Sequence, residues 1–527
     1  MLKKNITKKS KPYWFISLLS LLVLITGIGL ATTWYQYQLN PDATAYFGIA
    51  ERYAHGDFRH AINGYWGPTL SWLLIPFAWL NANLIITAKC IAIVTSVALL
   101  VVIYYYLGRL KVSNLVRNFT VAGLAPTLLL WSLVDPITPD LIFTLLLLLL
   151  VMHLDSFLQR PAIRSSVFLG IIGAGMYFTK GVGFYAFLGI IALAAAWQWY
   201  TERPTWTALL KRWRLAPIIF ALLVLPFIAL LSLKYDKLTI NTGAAYNYSV
   251  VGPQLEWHHP LSGNIYTPPN PDATSAWEDP STMAPLLPKW SIFDSGDHFT
   301  YFFSNILLKN ILALKDAALT LGVFMTLGIL LMIIALRSNW TWRREAILFT
   351  GVSTLMMSGY SIIALEARYV WIVGILGLIS TALFLQMLVQ KKLLSRSQLL
   401  LGGWIIVIVA TVAAGHTLYL GRDTDKKTQL AAQSLRSSLP SHEHIVADNF
   451  GFSIFACHHL NLQCYGVMKP PAAVEYAKYA ATLREHHITH YIEYDPASRS
   501  DANLQQFTQQ YFTKIKTTPD AVVYKLK

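Results

Sequence analysis

Long apolar segments recur along this sequence, and they constrain its fold more than any other feature. Most are close to the roughly 20 residues that an α-helix needs to cross a bilayer. The runs lie at 14–33, 83–107, 119–134, 141–154, 165–179, 182–199, 215–233, 311–336, 346–364, 369–390 and 399–420. The chain is 55% hydrophobic and 13% charged, too apolar for an ordinary soluble domain. The sequence therefore predicts a polytopic α-helical membrane protein with about 11 transmembrane helices.

The net charge of +15 is explained by membrane topology and not by a nucleic-acid partner. Twenty Lys and Arg residues, against three acids, fall in six segments that alternate with the apolar runs. These segments are 1–12, 108–118, 155–164, 202–214, 337–345 and 391–397. Basic loops favour the cytoplasm. We therefore expect a multi-pass cell (inner) membrane protein with a cytoplasmic N-terminus, its first run an uncleaved signal anchor and not a signal peptide.

Three segments between or after the runs are long enough to fold, and the charge pattern places all of them outside the cytoplasm. They are 34–81, 234–310 and 421–527. The first two belong to a predicted transmembrane domain of residues 1–420. The third is predicted to be a small extracytoplasmic (periplasmic) α/β domain, because it contains strand-like pieces at 445–447 and 491–494 and helix-like pieces near 427–437 and 472–485.

Local signals within these segments predict specific elements. Asn40 and Pro41 are typical of a helix N-cap and first position, and Gly56 can end that helix. Segment 234–310 is rich in Pro, Gly and aromatic residues and is predicted to be an ordered loop that covers a site. Cys457 and Cys464 favour a disulfide on the oxidising side of a membrane, with free thiols or a zinc site as the alternatives.

Charged residues stand at four separate outer turns next to apolar segments. Asp42 begins the first outer segment, Asp135 and Asp140 share a tight turn, and Lys180 and Arg368 occupy two later turns. Each has an ordinary explanation, since an acid can compensate a helix dipole and a lysine can snorkel to the interface. Together, however, they combine a base for a hydroxyl group with cations for a phosphate leaving group.

The first outer segment resembles that of a known enzyme group. The sequences PDATAY (41–46), IAERYA (49–54), GD (56–57) and GP (67–68) are similar to the first outer loop of GT-C glycosyltransferases, which depend on polyprenyl-phosphate sugars. The nearest groups in this resemblance are the protein mannosyltransferases and the lipid A aminoarabinose transferases. The latter have a Lys before a Pro pair where this chain has Tyr65-Trp66-Gly67-Pro68, so their substrate is not implied.

The resemblance implies a GT-C-like fold and a hexosyl- or pentosyl-type glycosyltransferase. Such an enzyme moves a sugar from a polyprenyl-phosphate donor, with inversion, to a lipid, glycan or protein acceptor outside the cytoplasm. It implies no cofactor beyond a divalent metal ion, which it leaves open, and membrane lipids are the other partners. Two alternatives remain: a lipid-linked oligosaccharide ligase or polymerase, and a transporter or flippase for lipid or sugar.

The resemblance also implies roles for individual residues. Asp42 is expected to be the general base, and Asp140 or Asp135 to orient the acceptor or to help bind a metal ion. The donor phosphate is expected to contact cations drawn from Lys180, Arg368, Arg52 and Arg59. Candidate substrate contacts are Tyr46, Glu51, Tyr65, Trp66 and Tyr369; the aromatic ones can equally be interfacial belt residues.

Overall fold

The computed structural model describes residues 13–262, 264–313, 331, 342–495, 498 and 501–527, and it is predominantly helical. Its α-helices are α1 (Trp14–Thr33), α2 (Pro41–Ala54), α3 (Phe58–Ala61), α4 (Thr69–Trp79), α5 (Leu84–Arg109), α6 (Asn114–Leu133), α7 (Asp140–Gln159), α8 (Ile163–Thr179), α9 (Val182–Glu202), α10 (Trp206–Trp213), α11 (Leu215–Lys234), α12 (Gly243–Val250), α13 (Gly296–Tyr301), α14 (Arg343–Ser361), α15 (Trp371–Gln390), α16 (Arg396–Leu420), α17 (Lys426–Leu435), α18 (Phe450–Leu460), α19 (Tyr476–Glu485) and α20 (Ala502–Tyr511).

Seven of the described helices are long and apolar enough to cross a membrane: α1, α5, α7, α9, α11, α15 with the short turn before it, and α16. This confirms a multi-pass membrane protein. Three further predicted runs coincide with α6, α8 and α14, which do not meet the same length and hydropathy criteria. The predicted run at 311–336 and the basic segment 1–12 lie largely outside the described residues. The predicted count of about 11 is therefore not established.

The long helices pack into one bundle with an apolar core. Helix α8 packs against both α7 and α11, and α6 packs against both α5 and α16. Trp131 at the end of α6 stacks on Trp371 at the start of α15, with ring centroids 4.4 Å apart. This contact joins α6 and α15 at the same end of the bundle, next to the turns that carry the predicted site residues.

The first outer segment forms the predicted helix. Helix α2 begins at Pro41 and ends at Ala54, and Gly56 follows it with a φ of +80°, a left-handed conformation that suits glycine. The amide oxygen of Asn40 accepts a hydrogen bond from the backbone N–H of Ile137 at 2.9 Å and does not cap α2. The start of α2 is therefore tied to the turn between α6 and α7.

The predicted C-terminal α/β domain is present. Five strands form one sheet in the order β2-β1-β3-β5-β4, in which β2, β1 and β3 are parallel, while β5 is antiparallel to its neighbours β3 and β4. The strands are β1 (His444–Ala447), β2 (Gln463–Val467), β3 (His490–Glu493), β4 (Phe512–Thr517) and β5 (Val522–Leu526). The domain boundary at residue 420 stays a prediction.

All three outer segments pack together at one end of the bundle, as the charge pattern predicts. Side chains of α2, of segment 234–310 and of the C-terminal domain share one apolar core. Backbone hydrogen bonds join the second segment to β2: Tyr266 N–H donates to Tyr465 O at 2.8 Å, and Cys464 N–H donates to Thr274 O at 2.7 Å. Segment 234–310 is thus an ordered connector between the bundle and the sheet.

Cys457 and Cys464 are free thiols in the structure and are both buried, which differs from the disulfide that the sequence favours. Their side chains are within hydrogen-bonding reach of each other, and this contact helps to hold the pKa of Cys464 below its ordinary value. Burial raises the pKa of Cys457. The pair is therefore enclosed in the apolar core of the domain as two packed thiols.

Candidate active site

Five charged side chains meet at the end of the bundle where segments 34–81, 234–310 and 421–527 pack, and we call them the charged cluster: Asp42, Asp140, Lys180, Glu366 and Arg368. Each stands at or near a helix end. Asp42 is in the first turn of α2, Asp140 is the first residue of α7, and Lys180 directly follows α8. Glu366 and Arg368 flank the start of a 3₁₀ turn that precedes α15. The turns meet because the helices that carry them end at the same side of the bundle.

Arg368 lies between the two aspartates. Its Nη2 is 3.4 Å from Asp42 Oδ2, and its Nε is 3.7 Å from Asp140 Oδ2 and 2.8 Å from Glu366 Oε2. Lys180 Nζ is 2.6 Å from Asp140 Oδ1. One guanidinium and one ammonium group thus share three carboxylates, an arrangement that reduces the cost of burying these charges.

The two aspartates differ in how tightly they are held. Asp140 is only 3% exposed, and its oxygens bind Lys180 Nζ and the Thr138 hydroxyl, each at 2.6 Å. Asp42 is 20% exposed, and its closest contacts in the described structure are longer, at 3.2 Å to Trp277 Nε1 and 3.4 Å to Arg368. Asp42 is therefore the carboxylate with the greater capacity to accept a proton from a bound hydroxyl.

The environment of Asp42 also favours proton transfer. Burial raises the pKa of its carboxyl group above the ordinary value, and the nearby Arg368 guanidinium opposes that rise. Both effects follow from ordinary electrostatics, because burial disfavours the charged form and an adjacent cation favours it. A carboxylate with a raised pKa is a stronger base than one exposed to water.

Asp135 lies outside the charged cluster. It is half-buried in the turn between α6 and α7, and burial raises its pKa to about 7 in spite of the Arg368 charge. Of the two acids that the sequence left open, Asp140 is the one that contacts Lys180 and Arg368.

Arg52 and Arg59 are not part of the cluster either. Arg52 is buried on α2 and forms an ion pair with Glu278, and Arg59 is exposed on α3. Within the described parts of the chain, neither contacts the aspartates of the cluster. Sequence alone does not separate them from Lys180 and Arg368, since the partner Glu278 is far away along the chain.

An aromatic wall borders Asp42. Trp277 Nε1 donates to Asp42 Oδ1 at 3.2 Å, and Trp66 Nε1 donates to the Trp277 carbonyl at 2.9 Å. Tyr65 and Tyr46 pack on Trp66 with ring centroids 4.6 and 5.1 Å away. The structure therefore brings three of the predicted contact residues next to the proposed base. Trp277 was missed as a site residue, and its only sequence signal is the aromatic character of segment 234–310.

A second aromatic group supports the cations. Lys180 Nζ lies 4.0 Å from the centroid of the Tyr369 ring, and the Tyr369 hydroxyl donates to Glu366 at 3.0 Å. Tyr360 stacks on Tyr369 at 4.6 Å and was also missed. A cation over an aromatic face is stabilised electrostatically. Glu51, the remaining predicted contact, is exposed on α2.

The carboxylates of the cluster are a poor match for a divalent metal ion as they stand. Among the described residues, no three or more His, Cys, Asp or Glu side chains are grouped to hold a metal ion. A cation that approached Asp140 would have to displace Lys180 or Thr138, which already bind its two oxygens at 2.6 Å. The cluster therefore leaves a metal requirement open.

Comparisons with known proteins identify the fold. No protein-family model and no curated protein sequence matches this chain. ArnT from Cupriavidus metallidurans, bound to undecaprenyl phosphate, is similar in structure with a TM-score of 0.54 at 13% identity, and the match covers 97% of each chain. The apo form of ArnT gives 0.56 at 11% identity, again over 97% of each chain.

The Archaeoglobus fulgidus oligosaccharyltransferase, in complex with Zn and sulfate, gives a TM-score of 0.53 at 13% identity. That match covers 96% of this chain and 72% of the other. Both proteins have the GT-C fold. The chain therefore shares the GT-C fold that the sequence resemblance implied.

Proposed function

We propose that this protein is a membrane glycosyltransferase that moves a sugar from a polyprenyl-phosphate donor to an acceptor hydroxyl outside the cytoplasm, with inversion. The observation that carries the proposal is the charged cluster. Asp42 and Asp140 lie 3.4 and 3.7 Å from one guanidinium group, beside Lys180. The fold supports it, since the similar ArnT structure contains undecaprenyl phosphate.

The reaction is a single substitution at the anomeric carbon of the sugar. The acceptor oxygen forms a bond to this carbon while the bond from the carbon to the phosphate oxygen breaks. The hydroxyl proton passes to Asp42, and the electron pair of the broken bond leaves with the polyprenyl phosphate. Attack from the face opposite the phosphate inverts the configuration.

Lys180 and Arg368 are proposed to bind the phosphate of the donor and to stabilise the negative charge that grows on it. Such preorganised cations act most strongly where water is excluded, and their side chains are only 19% and 10% exposed. One N–H group of Arg368, at Nη1, is buried and has no partner in the described structure. It is available to an anionic oxygen. Asp140 then holds Lys180 in place and orients the acceptor.

The positions of the substrates follow from topology. The basic segments are proposed to be cytoplasmic, which places the charged cluster and the sheet domain on the extracytoplasmic face of the inner membrane. A lipid-linked sugar is the donor suited to that face. Because Asp42 starts a helix at the membrane end of the outer segments, a polyprenyl chain can stay in the bilayer while its phosphate reaches Lys180.

The experiment compares Asp42→Asn with a matched control, Asp297→Asn, in purified protein. Asp297 occupies the same second position of an outer helix, α13, but is exposed. The assay supplies undecaprenyl-phosphate-linked sugars as donors and a membrane extract as the source of acceptor. It measures the undecaprenyl phosphate released, which is the same product whichever sugar is transferred. Asp42→Asn should lose at least about 100-fold in rate, the scale of general base catalysis, with unchanged thermal stability. Wild-type rates in Asp42→Asn would refute the proposed base.

A second candidate, transfer of an oligosaccharide from a lipid carrier, is favoured by one finding. The chain resembles the archaeal oligosaccharyltransferase almost as closely as it does ArnT, with TM-scores of 0.53 and 0.54. The same assay, run with single-sugar and oligosaccharide donors side by side, separates the two candidates. Turnover of oligosaccharide donors alone would select the second.

A further inference from the structure

A polar pocket on the outer side of α2 is not used by the reaction proposed above, and we call it the Arg52 pocket. It has a cavity volume of about 80 Å³, which is room for several water-sized groups. Its polar walls include Arg52, His60, Lys234, Asn270, Glu278 and Asp279. These residues come from α2, α3, α11 and segment 234–310, so the pocket exists only where the bundle and the outer segments meet.

The fixed charges of the pocket are balanced. Arg52 forms an ion pair with Glu278, and Lys234 Nζ lies 2.8 Å from Asp279 Oδ2. Both carboxylates are almost completely buried, at 3% and 4% exposed. A phosphate or another anion would meet these two carboxylates at close range and would be repelled by their like charge. The pocket therefore suits a neutral ligand.

The pocket also offers unused hydrogen-bonding groups. The Arg52 side chain is only 6% exposed, and its Nε–H group is buried without a hydrogen-bond partner in the described structure. His60 uses Nδ1 to bind Asp57 at 2.7 Å, which leaves its second ring nitrogen as a further polar atom. Together with the Asn270 amide and the buried carboxylates, these groups provide donors and acceptors close to one another, the pattern that a ring with several hydroxyl groups requires.

One short turn connects this pocket to the charged cluster. The 3₁₀ turn Ala276–Glu278 runs alongside α2, and its Trp277 binds Asp42 while its Glu278 binds Arg52. The carboxylate of Glu278 rests on Gly48, where a Cβ atom would lie 2.8 Å from Oε2. At a rise of about 1.5 Å per residue, Asp42 and Arg52 are about 15 Å apart along α2. The pocket is thus a neighbour of the proposed reaction centre and not a part of it.

We propose that the Arg52 pocket binds a neutral sugar residue of the acceptor, one that does not itself react. The acceptor is then a glycan or glycolipid and not a peptide. This inference rests on the proposed glycosyl transfer, which places an acceptor hydroxyl at Asp42. The charge balance selects a neutral hydroxyl-rich group, and the distance of about 15 Å from Asp42 along α2 selects a residue of the acceptor that is not directly bonded to the reacting one.

The test measures binding of neutral methyl glycosides to the full-length protein by saturation-transfer difference NMR. The probes are the methyl α-glycosides of glucose, mannose, galactose and N-acetylglucosamine, with inorganic phosphate (followed by its own ³¹P signal) and a Gly-Ser-Gly peptide for comparison. The protein is held in phosphatidylcholine discs, because sugar-based detergents would compete for the pocket. At least one glycoside should bind, and phosphate and peptide should not compete with it.

Variants of His60 and Asn270, which we call the rim residues of the Arg52 pocket, test whether glycosides bind there without breaking the buried ion pairs. His60→Ala and Asn270→Ala should each raise the dissociation constant about fivefold, the effect of losing one hydrogen bond. The matched control is His55→Ala, since His55 is exposed at the end of α2 and does not line the pocket. Unchanged binding in both rim variants, or binding of phosphate or peptide in place of glycosides, would overturn the proposal.

A last variant separates this inference from the proposed function. Asp42→Asn should bind the glycoside as wild type does while failing to release undecaprenyl phosphate. If the wild-type protein binds glycosides at the rim residues but releases no undecaprenyl phosphate, the proposed function fails and the pocket stands. If release depends on Asp42 but the rim variants bind as wild type does, the pocket assignment fails alone.

Discussion

At the residue scale, the site is defined by how one guanidinium group is shared. Arg368 contacts Asp42, Asp140 and Glu366, so three acids share its single positive charge. Asp140 is locked by Lys180 and Thr138, whereas Asp42 makes only longer contacts in the described structure. Two carboxylates of the same type thus have different surroundings, which is the basis for the different tasks proposed for them.

Removal of the Arg368 charge should move the pH dependence of transfer. Arg368 lowers the pKa of Asp42, so in Arg368→Gln that pKa rises further above its ordinary value. Asp42 must be deprotonated to act as a base, and the acid limb of kcat/KM is therefore expected to move to higher pH by about one pH unit or more. The measurement is the pH profile of undecaprenyl phosphate release.

The control for this variant is Arg368→Lys, which keeps the positive charge. Its acid limb should stay near that of the wild type, although its rate falls because a lysine does not reproduce the forked contacts of arginine. An acid limb that stays in place in Arg368→Gln would show that Asp42 is not the titrating base.

At the element scale, the proposed site residues stand at helix ends, and one glycine allows two chain segments to approach each other there. Gly67 lies against the end of α8, directly before Lys180. A Cβ atom at position 67 would be 2.3 Å from the carbonyl oxygen of Thr179 and 2.6 Å from that of Phe178. Backbone atoms cannot yield as a flexible side chain can. The absence of a side chain at Gly67 therefore allows the first outer segment to approach the end of α8, next to Lys180, which forms an ion pair with Asp140.

Gly67→Ala should displace Lys180 from the charged cluster. A shift of about 1 Å in a substrate-binding group can cost on the order of 100-fold in rate, and we expect a loss of that size in undecaprenyl phosphate release. Gly296→Ala is the control, because no atom lies within 4 Å of the added methyl group in that outer turn. Equal rates in both variants would contradict the positional role of Gly67.

At the scale of the whole molecule, the C-terminal domain is part of the scaffold of the site. It shares an apolar core with α2, the helix that carries Asp42 in its first turn. Phe47 of α2 is fully buried and its ring centroid lies 5.7 Å from that of His458 in α18. Loss of this core would free α2 from the sheet domain, so the domain and the site are expected to be stable only together.

Phe47→Ala should destabilise the outer part of the molecule by about 3 to 5 kcal/mol, the usual cost of removing a buried phenylalanine ring. The measurement is thiol labelling during heating in a Cys90→Ser background. Cys457 and Cys464 are at most 1% exposed and become reactive only when the domain opens. Labelling should begin at a lower temperature than in the parent protein.

Phe58→Ala is the matched control, since Phe58 is 61% exposed on α3 and its removal leaves no cavity. Its labelling temperature should stay near that of the parent. The shared core would lose its proposed importance if Phe47→Ala behaved in the same way.

The sequence by itself determined the features that depend on contiguous residues. Apolar runs near 20 residues specify spanning helices, because each backbone group in lipid must find its partner within the same helix. Asn40 and Pro41 predicted the start of α2, and the pieces around Val446 and Tyr491 predicted two strands of the sheet.

Only the tertiary structure decided which charged residues meet. Asp135 and Asp140 share one turn and look equivalent in the sequence, yet Asp140 alone contacts Lys180 and Arg368. Trp277 and Arg368 reach Asp42 from 235 and 326 residues away along the chain. Contacts of such length follow from how helices pack and where their ends meet, and no local pattern of residue types encodes them. For that physical reason the fold could be predicted from the sequence, while the pairing within the site could not.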